Sequence, residues 1–120
     1  MTKRTTLVLG ASTSTFRYSF LATQRLLGNN EGVYLLGKAG GEVSGHKIHK
    51  EWPNTEIHTV TMYLNPRHQA PFYEHIINSK PQRVIFNPGS ENPELAQLLE
   101  QAQIPFEHSC TLVLLSSGQY

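Results

Sequence analysis

Two continuously apolar runs, 5-TTLVLG-10 and 33-VYLL-36, flank a stretch with a different period. A strand buried on both faces reads as an unbroken apolar run instead of an alternation, and both runs have that form. Between them Tyr18, Leu21, Ala22 and Leu26 recur at helical spacing, and Gly28-Asn29-Asn30 supplies the stop. Strand, helix and strand within about thirty residues make a parallel β-α-β unit.

The alternation continues along the chain. Residues 38–56 are Gly-rich and polar, which predicts a long loop with a short edge strand around Lys47 to His49. A third strand covers 58-HTVTMYL-64. Asn65-Pro66 then opens a helix running to about Ser79, because Asn caps free N–H groups and Pro fits the first turn. Phe72, Tyr73, Ile76 and Ile77 form its sheet-facing side. Strand four is 83-RVIF-86, Asn92-Pro93 starts a helix with the stripe Leu95, Leu98, Leu99 and Ala102, and 105-PFEHSC-110 brings in a fifth strand. The tail 111-TLVLL-115 fits a strand continuation or a short closing helix equally well. This order of elements predicts an α/β fold, a doubly wound, mainly parallel five-stranded sheet with helices on both faces. A chain of 120 residues is expected to form one domain, 1–120, around one core.

Composition narrows function by exclusion. With a formal charge of +1 and no Lys/Arg run, neither a nucleic-acid partner nor a membrane surface is expected. No apolar stretch has the length of a membrane span or signal-peptide core, so the expected location is the cytoplasm. Cys110 is the single cysteine and can close neither an internal disulfide nor a Cys-x-x-Cys zinc site. All 9 acidic residues are Glu, which excludes an Asp phosphoacceptor, an aspartic dyad and an Asp-containing triad.

In doubly wound sheets, ligands bind outside the carboxyl ends of the strands, and Gly10 stands at that edge, followed by Ser12, Thr13, Ser14 and Thr15. A G-x-G-x-x-G fingerprint would place glycines at 10, 12 and 15, and only Gly10 is present. The tight turn can still form, and the hydroxyls together with the N–H groups of the oncoming helix suit phosphate oxygens. Ser and Thr are also ordinary loop and capping residues. The end of strand two favours phosphate. Where a nicotinamide site presents an acid to the ribose hydroxyls, this chain has Gly37-Lys38. A lysine suits a phosphorylated ribose, as in NADP or the 3′-phosphorylated ADP end of coenzyme A, although taken alone Lys38 reads as a solvated surface lysine. The match of 32-GVYLLGK-38 to a P-loop fails, because Ala39 stands where a hydroxyl must hold magnesium and the middle of the motif is itself a strand.

The six histidines, His46-x-x-His49 included, lack Cys or Asp partners and an H-E-x-x-H context, so no metal site is expected. Asn65, Arg67 and His68 follow strand three at the ligand edge, where they can meet an anion. Cys110 ends the fifth strand on the same edge. A reactive thiol would need activation, which a helix starting at Thr111 could supply, whereas most lone cysteines are small buried hydrophobes. No nucleophile, base and orienting group assemble from the sequence, so catalysis is unsupported by it.

The segments 7-LVLGASTSTFRYS-19, 37-GKAGGEVSGHKIH-49, 63-YLNPRHQAPFY-73, 83-RVIFNPGSENPEL-95 and 110-CTLVLLSSGQY-120 together resemble the small stand-alone CoA-binding domain family. That family is similar in architecture to the N-terminal CoA-binding domain of the succinyl-CoA synthetase alpha subunit. The resemblance implies a Rossmann-like domain that binds coenzyme A or acyl-CoA, with the pyrophosphate against Gly10, Ala11, Ser12 and Thr13 and with Arg17 and Ser19 near the helix start. It further implies that Lys38 faces the phosphorylated ribose, that Tyr63, Leu64, Asn65 and Pro66 line the pocket, that Asn87, Pro88 and Gly89 close the adjacent edge, and that Cys110 and Thr111 lie close by. The phosphohistidine domain and partner subunit of the synthetase have no counterpart here, so ligase activity is not carried over.

Three functions remain in view. The first is a non-catalytic CoA or acyl-CoA binding module, a sensor or carrier of a small nucleotide ligand, with homodimer formation left open. The second is an NADP-dependent oxidoreductase, which the turn and Lys38 would serve equally but for which a small domain offers no evident proton donor. The third is an interaction or scaffold protein with a vestigial nucleotide site.

Overall fold

The computed structural model describes residues 4–120. Strands β1 (Thr5–Leu9) and β2 (Gly32–Leu36) flank helix α1 (Tyr18–Gly28), and the strands run parallel in register from Thr5↔Gly32 to Leu9↔Leu36. The chain continues through β3 (Glu42–Val43), β4 (His46–His49), β5 (Thr59–Met62), α2 (Tyr73–Ser79), β6 (Arg83–Phe86), α3 (Pro93–Gln101), β7 (Phe106–His108) and α4 (Thr111–Ser116). The α/β, Rossmann-like class is as expected, but the sheet has seven strands where five were expected, in the order β3-β4-β2-β1-β5-β6-β7.

The outer strands come from the Gly-rich 38–56 segment. β4 is the short strand expected around Lys47 to His49, but it is not the edge, because it pairs parallel with β2 on one side and β3 folds back antiparallel onto the other. Ser44 (φ 50) and Gly45 (φ 82) are both left-handed, the conformation of a two-residue I′ hairpin whose twist matches its flanking strands. All other pairings are parallel. From β1 the chain winds outward to β2 and β4, then returns to the other side of β1 as β5. The direction of winding therefore reverses between β1 and β5, and a crevice is expected outside their carboxyl ends.

Helices cover both faces. Leu7 and Leu9 of β1 join Val60, Met62 and Phe86 in a cluster closed by Ile76 of α2 and by Leu95 and Leu99 of α3. Val8, pointing the other way, packs with Leu35, Leu26 of α1 and Leu115 of α4. Each fully buried Leu or Phe contributes about 1.5–3 kcal/mol relative to exposure. The buried side of α1 is Ser19, Ala22, Thr23 and Leu26. Tyr18 and Leu21, expected on that side, are instead 70% and 39% exposed. Small side chains line the contact, and the Thr23 hydroxyl donates to the Ser19 carbonyl at 2.8 Å, so no polar group is stranded there.

The helix expected over 66–79 is broken. Two 3₁₀ turns, Pro66–His68 and Ala70–Phe72, precede α2. Pro71 has no N–H to donate and its ring would collide with the carbonyl four residues earlier, so α-helical pairing starts only after it. The ambiguous tail closes as α4, and the strand expected over 105–110 spans only Phe106–His108. Among the described residues, no helix is long and apolar enough to cross a membrane.

Candidate functional site

The turn after β1 is held by its own backbone. Gly10 has φ +99, and the N–H groups of Gly10 and Ala11 both donate to the Leu36 carbonyl, at 2.9 and 3.0 Å. These two amides therefore extend the sheet. Ser14 N–H donates to Ser12 Oγ at 3.0 Å, closing a local hydroxyl turn. The N–H groups of Ser12, Thr13, Thr15 and Phe16 make no hydrogen bond with the described residues and are free to donate. Arg17 is exposed at the N-cap of α1 without a side-chain cap bond, whereas Ser19 is 3% exposed on the packing side.

Two glycines press the next loop against this turn. A β-carbon on Gly37 would lie 2.3 Å from the Ala11 carbonyl oxygen, and one on Gly41 (φ +94) would lie 2.7 Å from Thr13 Cγ2. No side chain fits at either position. Lys38, exposed, is carried by the segment between these contacts, at the rim of the turn. On the other side, a β-carbon on Gly10 would meet Tyr63 C at 3.1 Å and Leu64 N at 3.2 Å, so the ends of β1 and β5 are in backbone contact at the winding reversal.

Tyr63 packs against the α1/α4-side cluster, and its hydroxyl is buried without a hydrogen-bond partner. Neighbouring Thr61 and Thr111 hydroxyls bond each other at 2.7 Å, and Asn87 Nδ2 donates to Thr61 Oγ1 at 2.8 Å. Burial pushes the Tyr63 phenol up to about 12. Asn65 Oδ1 accepts the Arg67 N–H at 3.0 Å, and Pro66 begins the first 3₁₀ turn, which leaves Arg67 and His68 exposed.

Asn87 is committed to the scaffold. Its Nδ2 donates to Thr61 Oγ1 and to the Met62 carbonyl (2.9 Å), and its Oδ1 accepts the Thr111 N–H (2.8 Å). It thereby ties the ends of β5 and β6 to the start of α4. A second buried network, Gln69 to the Leu64 and Ser90 carbonyls and Asn92 to Gln69 and the Tyr73 hydroxyl, fixes the loops after β5 and β6. Pro88 and Gly89 are exposed, and Gly89 N–H donates to the Glu91 carboxylate at 2.8 Å. Cys110, expected to end a strand, is the half-buried N-cap of α4. Among the described residues, no group of three or more His, Cys, Asp or Glu can hold a metal ion.

The fold thus brings the Gly10–Thr13 turn against the 37–41 segment that carries Lys38 and against the Tyr63–Leu64 backbone. The sequence reading missed a cleft of about 880 Å³ that borders this edge at Gly40 and Gly41 and is lined by Tyr34, Lys47, His49, Lys50 and Trp52. The signals available were the alternation in 46-HKIHK-50 and the single Trp.

Sheet order, winding reversal and turn define a Rossmann-like α/β protein. The chain belongs to the CoA binding domain family, which matches residues 4–116. Among solved structures, an uncharacterized protein is 43% identical over 100% of both chains, with a TM-score of 0.94. A hypothetical protein from Pyrococcus horikoshii OT3 is 22% identical over 96% of this chain and 82% of its own, with a TM-score of 0.86. A protein from Thermus thermophilus is 18% identical over 98% and 91%, with a TM-score of 0.85, and both share the fold. No curated protein matches the chain.

Proposed function

We propose that the chain acts as a single, non-catalytic unit that binds coenzyme A or an acyl-CoA. The observation that carries this reading is the contact of the 37–41 loop, which includes Lys38, with the 10–13 turn, where the Ser12 and Thr13 amides are unbonded. Two amides on a rigid turn suit a diphosphate, and a lysine at the neighbouring strand end suits a ribose phosphate. The residues present fit the group. Ser12, Thr13 and the start of α1 would hold the diphosphate, Lys38 the phosphorylated ribose, and the Tyr63–Asn65 segment the chain leading away. Coenzyme A supplies a thiol that carries an acyl group; the protein's part is to bind and orient it.

The test is thermal unfolding with added nucleotide. Coenzyme A is expected to raise Tm where NAD does not, with about 2.7 kcal/mol of stabilisation at a hundredfold excess over Kd, and Lys38→Glu should weaken the effect. No shift with millimolar coenzyme A would overturn the reading.

A further inference from the structure

The opposite rim of the sheet, at the amino ends of β1, β5 and β6, gathers charged and titratable side chains that the ligand edge does not use. Arg83, the first residue of β6, is the hub. Its Nε–H donates to Thr59 Oγ1 at 3.0 Å and its Nη2 donates to the Tyr120 main-chain oxygen at 2.9 Å. Its guanidinium carbon lies 4.3 Å from the centre of the Tyr120 ring, and Nη1 stands 3.9 Å from Glu107. Arg4, bound to Glu31 at 2.8 Å, lies over the same ring at 5.2 Å, and the Tyr120 hydroxyl bonds Thr6. Tyr120 is thereby clamped, and with it the segment that leaves α4. The 83–87 segment thus holds α4 at both ends, through Asn87 at its start and through Arg83 and Tyr120 beyond its finish.

His58 completes the clamp. Its Nδ1 lies 2.7 Å from Thr59 Oγ1, which is fully buried and also receives the Arg83 Nε–H. A guanidinium only donates. Among the described residues the Thr59 hydroxyl proton has one acceptor, His58 Nδ1, so the relay runs from Arg83 through Thr59 to a neutral imidazole with its proton on Nε2. We propose that His58 is a proton-operated release: a second proton, on Nδ1, turns that acceptor into a donor, leaves the buried Thr59 hydroxyl without a partner, and frees Arg83 and Tyr120 so that α4 loosens at its far end. Charge acts in the same direction. The guanidiniums of Arg4 and Arg83 face the imidazole, with Glu31 on Arg4 and Glu107 near Arg83 as the only carboxylates of the cluster. Burial, then Arg4 and Arg83, hold the His58 pKa below its ordinary 6.5 against an opposing pull from Glu31. Because the folded value is the lower one, the latch is secure above pH 6.5 and is lost as pH falls from there.

The Gln119 and Tyr120 N–H groups both donate to the Leu114 carbonyl and report on the latch by hydrogen exchange. In the full chain their protection, corrected for the intrinsic pH dependence of exchange, is expected to fall several-fold between about pH 7.5 and about pH 5.5. The ceiling is about tenfold, set by an imidazole that titrates at 6.5 once released. Amides of β1 and β5 should keep their protection. His58→Asn, which keeps an acceptor near the Nδ1 position but takes no proton, should match the wild type at neutral pH and lack the acid response. Heteronuclear NMR of the wild-type imidazole needs no substitution and is expected to find the neutral ring protonated on Nε2. Unchanged wild-type protection at the acid pH, an undiminished acid response in His58→Asn, or a neutral ring protonated on Nδ1 would each overturn the latch.

Discussion

Gly37 and Ala11 approach so closely that a β-carbon on the first would stand 2.3 Å from the carbonyl oxygen of the second. Because the Ala11 N–H also donates to the Leu36 carbonyl, the turn after β1 cannot retreat from a larger side chain without giving up that bond.

Gly37→Ala is therefore expected to destabilise the protein by about 1–3 kcal/mol and to weaken coenzyme A binding, since the backbone itself must shift. Denaturant unfolding and calorimetric titration measure the two effects. Wild-type values in both would show that the contact between the loops is not what shapes the site.

Asn87→Ala removes a side chain whose three polar contacts are all buried, leaving the Met62 carbonyl, the Thr61 hydroxyl and the Thr111 N–H short of a partner. The expected loss is about 2–3 kcal/mol of stability by denaturant unfolding. A loss below about 0.5 kcal/mol, the level of an ordinary surface substitution, would contradict the clamp described for this residue.

Tyr63→Phe tests a buried hydroxyl that has no partner. Burial raises the phenol from its ordinary 10.0 to about 12, so the neutral form is favoured in the folded state. The associated stability is fully present below pH 10 and is lost as pH rises toward 12, an effect of about 2–3 kcal/mol in the wild type. Tyr63→Phe should lack this alkaline decline and be at least as stable at neutral pH. Parallel pH profiles for the two proteins would refute the burial.

The strands and the tight turn after β1 were legible because their signals are local: unbroken apolar runs, and a glycine where β1 ends. The facing of α1 was not. Tyr18 and Leu21 fit a helical stripe, but the contact is made by Ser19, Ala22 and Thr23, and only the position of the sheet and α4 decides which side is covered. Asn87 was read as part of a ligand edge, yet its bonds run to Thr61 and Thr111, which are 26 and 24 residues away in sequence. Lys50 and Trp52 escaped notice for the same reason. Their relation to Lys38 exists only once β4 has docked beside β2. Pro71 was visible in the sequence, and its effect on the helix expected over 66–79 follows from ring geometry alone.

The two rims of the sheet are both abbreviated, with β3 two residues long and β7 three. Neither presents a row of unsatisfied main-chain groups long enough to template a foreign strand, a common route to uncontrolled association. Self-assembly of this molecule would accordingly fall to its exposed apolar side chains, Phe16 in the turn before α1, Tyr18 at the start of α1 and Val113 on α4.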